Sequence, residues 1–217
     1  MSYSQFEIEE ALKRRDMSTL TTMINDGMNV NDLVVDKHTD VLLAAISKEH
    51  KALFNLVLSK GFNCNNKNGF LYMHHAVRTH DLFFISSILN HYISVDRNYN
   101  EVNSEKENCL HVAAAEEGMP IEIFDYLDDI GIRWDETNVY GQTPLHILLR
   151  NNEIITDELL VLIEKHVDAF DLKDDFGISC IDIVKSASYA EDWLSNNQKL
   201  YELVQKIQKS GNKNGIK

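Results

Sequence analysis

Five short stretches of the chain open in the same way, and their spacing limits the folds available to it more than any other feature. The clearest is Gly141-Gln142-Thr143-Pro144-Leu145-His146-Ile147-Leu148-Leu149. Thr143 suits a helix N-cap, and Pro144 suits the first helical position, where a missing N–H costs nothing. Gly141 permits the tight turn in front, and Leu145, Leu148 and Leu149 repeat at helical spacing to give one apolar face. Weaker versions place an apolar residue where Leu145 stands: Val41 after Thr39-Asp40, Met73 before His74-His75, Leu110 before His111, and Ile181 before Asp182. The steps between these five positions are 32, 37, 35 and 36 residues. A period of this length points to stacked supersecondary units, none of which buries its apolar face alone.

A second register runs in step with the first. Gly27-Met28-Asn29-Val30-Asn31, Gly61-Phe62-Asn63-Cys64-Asn65, Tyr92-Ile93-Ser94-Val95-Asp96, Gly131-Ile132-Arg133-Trp134-Asp135 and Val167-Asp168-Ala169-Phe170-Asp171 fit one template of helix stop and extended entry. Glycine at the first place matches a left-handed helix cap. Trp134 and Phe170 fall at the apolar place of Val30, Cys64 and Val95, and are expected in the core. From Asp96 to Leu110 is 14 residues, against 10 for Asn31 to Val41, Asp135 to Leu145 and Asp171 to Ile181. This predicts about four extra residues in the loop from Arg97 to Glu107.

On these residues the chain resembles the ankyrin-repeat family. The resemblance implies an all-α repeat fold, an ankyrin solenoid of helix-turn-helix units with short hairpin-like fingers. Its approximate repeats are 1–31, 32–65, 66–96, 97–135, 136–171 and 172–209, forming one domain over 1–209. The first serves as a cap, with Phe6, Ile8, Ala11 and Leu12 on one apolar face and Asp16 capping the next helix. The last carries one helix with Trp193, Leu200, Leu203, Val204 and Ile207 on a side. The lysine-rich tail 210–217 is expected to be disordered.

Three cysteines, an odd number, stand at apolar places of the repeat, which argues for buried thiols and a reducing compartment. The chain shows neither a signal-peptide pattern nor about 18 consecutive apolar residues. The expectation is a cytoplasmic protein, with signal-less delivery into another cell as the alternative. The net charge of −13 is unevenly placed: residues 111–184 alone sum to −13, residues 1–110 to −3 and residues 185–217 to +3. Such a field repels nucleic acid and anionic membranes and attracts a basic partner over a Debye length of about 8 Å. Solubility of the outer face is the plainer reading of the same charges.

No Gly-rich phosphate loop, Gly-x-Ser-x-Gly elbow or His-Glu-x-x-His helix occurs, so no enzyme, cofactor or metal is expected. His74, His111 and His146 share one place in the turn, where the resemblance gives the imidazole a structural hydrogen-bonding role. What the resemblance implies instead is partner binding on a concave face made by finger tips and inner-helix ends. Carried over by position, the finger candidates are Asn68, Phe70, Arg97, Tyr99, Asn138, Tyr140, Asp174, Asp175 and Phe176. The helix-end candidates are Arg78, Glu116 and Arg150. Against the partner role of the aromatics stands packing on the next finger. The expected function is a protein–protein adaptor or scaffold, monomeric when free and binding neither nucleic acid nor membrane. The alternative is an inhibitor, immunity-type protein or delivered effector that masks a basic partner through the acidic surface of repeats four to six.

Overall fold

A computed structural model describes residues 3–36, 39–64, 71–151 and 154–214. The protein is all-α, with thirteen α-helices among the described residues, two short 3-10 turns and one two-stranded hairpin. The chain divides into two compact units, residues 1–101 and 102–217.

The first unit holds α1 (Gln5–Arg14), α2 (Met17–Asn25), α3 (Val41–Ser47), α4 (Lys51–Ser59), α5 (Tyr72–Val77) and α6 (Leu82–Ser94). The polar residue ahead of a helix fixes several of these starts. Ser4 and Glu7 form a reciprocal capping box on α1, and Asp16, Asp40 and Asp81 cap α2, α3 and α6, each contributing about 1 kcal/mol. Helices pair in chain order, α1 on α2, α3 on α4 and α5 on α6, and α3 also packs on α5 and α2 on α4. Leu12, Leu20, Leu42, Phe54 and Phe84 are fully buried between them, with the Phe54 and Phe84 rings edge to face at 5.1 Å. Tyr72, at the place of Pro144, has its hydroxyl on Asp40 Oδ2 at 2.6 Å. Phe6 is exposed, because it lies two residues from Ile8 and so on the far side of α1 from the buried Ile8, Ala11 and Leu12.

The four extra residues expected in the loop from Arg97 to Glu107 lie in α6 instead. α6 has 13 residues, whereas α2, α4, α8 (Ile121–Asp129) and α10 (Asp157–Lys165) have 9 each. Two residues past its end stands Asp96, whose φ of 53° takes the left-handed place of Gly27 and Gly131. Arg97 N donates to Tyr92 O just as Met28 N donates to Met23 O and Ile132 N to Leu127 O. Measured from these caps, Gly27 to Val41, Asp96 to Leu110 and Gly131 to Leu145 are all 14 residues, so the loop is of ordinary length. The place of Val30, Cys64 and Trp134 is therefore taken by the half-buried Tyr99, while Val95 is exposed.

The second unit holds α7 (Cys109–Ala115), α8, α9 (Pro144–Asn151), α10, α11 (Cys180–Ala187), α12 (Glu191–Asn196) and α13 (Gln198–Asn214). α7 packs on α9 and α9 on α11; α8 packs on α10 and α10 on α13. Trp134 and Phe170 are buried as expected, and so are Cys64, Cys109 and Cys180. Two features of the C-terminal end differ from the sequence expectation. The single last helix is two, broken at the buried Asn197, whose side chain accepts from Ile155 N (2.8 Å) and donates to Trp193 O (3.0 Å). The helix then runs on through Gly211 to Asn214, into the stretch expected to be disordered.

Candidate finger and groove surface of the second unit

Three turns of the second unit are built alike. Each begins with an Asn or Asp whose side-chain oxygen accepts the amides two and four residues on, and whose own N–H donates to the carbonyl four residues on. Asn103 binds Glu105 N and Glu107 N at 2.8 and 2.9 Å; Asn138 binds Tyr140 N and Gln142 N at 3.0 Å; Asp174 binds Phe176 N and Ile178 N at 3.0 and 2.9 Å. This is the local side-chain closure that Asn and Asp favour. The fourth residue of each turn is left-handed: Lys106, Gly141 and Gly177, with φ of 60°, 70° and 75°. Neighbouring turns are tied through backbone, Val139 N to Glu105 O at 2.8 Å and Asp175 N to Tyr140 O at 3.0 Å.

With the backbone of each turn satisfied internally, the middle side chains face outward. These are Glu105, Tyr140 and Phe176; the two aromatics are 49% and 76% exposed. Below them the turn histidines join one turn to the next. His146 lies with Nδ1 2.8 Å from the Thr143 hydroxyl, and Nε2 donates to the Ile178 carbonyl at 3.1 Å. His111 spans from Asn108 to the Gln142 carbonyl at 3.0 Å. Burial lowers the His146 pKa, outweighing the Ile178 carbonyl, so the ring is neutral at pH 7.

The sequence candidates fall into distinct environments. Tyr140, Asp175 and Phe176 are exposed on adjacent turns. Asn138 and Asp174, read as surface contacts, are buried and hold the turns themselves. Burial pushes the Asp174 carboxyl upward, but the Arg150 guanidinium at 2.7 Å and the amides of Ile178 and Phe176 prevail and hold it below the usual carboxylate range. Arg150 thus faces the surface with its charge already matched. Glu116 is half-buried at the end of α7, near which Asn151 Nδ2 donates to Ala114 O at 3.4 Å. Arg78 is exposed at the end of α5 in the first unit. Arg97, read as a finger contact, has a side chain only 10% exposed. It pairs in two places with Glu101, at 2.7 and 3.2 Å, and stacks 4.6 Å over the Tyr92 ring. The left-handed cap at Asp96 turns it inward, and with Tyr99 it precedes the turn that starts at Asn103. Asn68 and Phe70 lie outside the described residues.

One feature escaped the sequence reading. An open groove of about 630 Å³ runs beside the third turn. Leu149 and Arg150 of α9, Ile178 of the turn, and Asp182, Ile183, Ser186 and Ala187 of α11 line it, and Trp193 of α12 closes one side. The signal was Asn196-Asn197 after Trp193, a helix-stopping pair that detaches the tryptophan from the last helix.

Neither a protein-family model nor a curated protein sequence matches the chain. Among the described residues no helix is long and apolar enough to cross a membrane, and no group of three or more His, Cys, Asp or Glu could hold a metal ion.

Proposed function

We propose that the chain is an ankyrin-type solenoid that binds another protein along the turns and inner-helix ends of its second unit, as an adaptor or scaffold without catalysis of its own. The observation that supports this best is the exposure of Tyr140 and Phe176 at the same place in consecutive turns. Each turn is closed by its Asn or Asp and tied to its neighbour by backbone, so the rings are not needed to hold it. Adjacent exposed aromatics on a rigid frame are the residues that supply most energy at protein interfaces. The solenoid reading is supported by the two sequence registers, the recurring turn and the order of helix packing. The acidic surface argues against nucleic acid and anionic membranes as partners, and the odd, buried cysteines favour a reducing, cytoplasmic setting.

A second reading is favoured by the charge of −13 over residues 111–184. In it the protein masks a basic partner, as an inhibitor, immunity-type protein or delivered effector. Affinity capture from the source cell's lysate at low and high salt, with mass spectrometry of retained proteins, separates the two. A partner of ordinary charge that survives high salt supports the adaptor. A single basic protein released by salt supports the mask. No protein retained above a bare-resin control at low salt overturns both.

A further inference from the structure

We propose that the groove between α9, α11 and α12 seats one kind of partner segment, an amphipathic helix whose apolar stripe is flanked by Lys or Arg. This rests on the partner-binding reading above and names the chemistry of the partner.

The first argument is the placing of Trp193. α12 has six residues and none is buried. Its tryptophan is half-buried and lines the groove, where the other apolar surface comes from Leu149, Ile178, Ile183 and Ala187. A helix that contributes nothing to the core yet holds a tryptophan at the edge of an open apolar trough offers an interface anchor. The Asn197 side chain fixes that edge by binding Trp193 O and Ile155 N together. Apolar side chains spaced i, i+3, i+4 and i+7 on one helix face suit such a trough.

The second argument is charge. Of the two charged groups lining the groove, Arg150 is matched by Asp174 at 2.7 Å, whose carboxylate is fully buried. The other, Asp182, is exposed, and its carboxyl is held below the usual range by the amide and hydroxyl of Ser179 at 3.0 and 2.8 Å. Lys173 and Lys185 act on it in the same direction, and neither lines the groove. The trough therefore offers an apolar bed with one anionic edge at Asp182, and its walls from Leu149 to Ile183 belong to the acidic stretch 111–184. A cation beside an apolar stripe complements both; an acidic helix meets like charge at the edge, which selects against it.

The test uses the full chain and three fluorescein-labelled synthetic peptides of about five helical turns. One carries a leucine stripe with lysine flanks, the second the same stripe with glutamate flanks, and the third lysines with serine in place of leucine. The leucine–lysine peptide is expected to bind saturably at 1:1 and to shift tryptophan emission to the blue, with the shift lost in Trp193→Phe. Its affinity is expected to exceed that of the other two by at least about tenfold. Ala187→Arg, which fills the groove with a good helix former, is expected to weaken it by about tenfold, and Asp182→Asn by about threefold. Far-UV circular dichroism confirms that each variant is folded. Equal binding of the serine–lysine peptide, equal binding of the leucine–glutamate peptide, or an unchanged affinity in Ala187→Arg overturns the groove assignment. If a natural partner is lost by Tyr140→Ala/Phe176→Ala but kept by Ala187→Arg, the groove assignment fails while the partner-binding reading stands.

Discussion

Replacing Gly141 and Gly177 by alanine separates the conformation of a turn from its stacking on the next. Both glycines are left-handed, at 70° and 75°, so each alanine bears the same strain of about 1–2 kcal/mol. Each also gains the same 0.4–1 kcal/mol, roughly, from a stiffer unfolded chain. They differ in what the new methyl meets. At Gly177 nothing lies within 4 Å; at Gly141 it falls 2.7 Å from Asp175 Oδ1, 2.8 Å from Asp175 N and 3.2 Å from Asp174 C. The carboxylate can rotate away, but the backbone cannot without lengthening the Asp175 N to Tyr140 O bond of 3.0 Å. The clash adds about 1–3 kcal/mol, the range for forcing an extra methyl into packed structure. Urea unfolding followed by tryptophan fluorescence reads this directly, because Trp134 and Trp193 both belong to the second unit. Gly141→Ala is expected to be less stable than Gly177→Ala by about 2 kcal/mol. Equal costs, within about 0.5 kcal/mol, refute the stacking of these turns.

Four further outcomes follow, three from buried groups and one from an exposed pair. Arg97→Ala is expected to cost about 2–3 kcal/mol in urea unfolding followed by circular dichroism, below the full cost of breaking a buried pair because Glu101 is one-fifth exposed. Arg133→Ala, which breaks the exposed pair with Asp135, is expected to leave the midpoint unchanged. Burial lowers the pKa of His91 and His146 in the folded state, so the unfolded chain takes up protons first as pH falls. Stability is then full above pH ~6.5 and drops below it by at most about 1.4 kcal/mol per pH unit for each histidine. A urea midpoint constant from pH 7 to 5 contradicts this. Burial pushes the Cys64 and Cys180 thiols up to about 12, so a thiol-reactive dye at pH 8 is expected to label neither without denaturant.

The positions of most helix starts were legible because short polar signals sit beside them. Asp16, Thr156 and Thr143-Pro144 mark α2, α10 and α9 without help from the rest of the chain. The length of α6 was not legible, since Asp96 stands where glycine follows α2, α4 and α8, and the register taken from Tyr92 moved four residues into the wrong element. The break before α13 was hidden because Asn197 serves a partner 42 residues away, Ile155 N. At the site, the aromatics Tyr140 and Phe176 could be placed from the glycine that follows each. The inward roles of Asn138 and Asp174 could not, because the same Asn or Asp suits an exposed tip and a turn's own closure equally well. The groove was illegible for a plainer reason, that its walls come from helices starting at 144, 180 and 191, joined only by folding.

The most direct test of the central claim is the equilibrium affinity of the captured partner for the wild-type chain and for Tyr140→Ala/Phe176→Ala, measured by isothermal titration with both folds verified. If the second unit grips its partner through these turns, losing two exposed rings weakens binding by at least about thirtyfold, or roughly 2 kcal/mol. Wild-type affinity in the folded double variant contradicts the account.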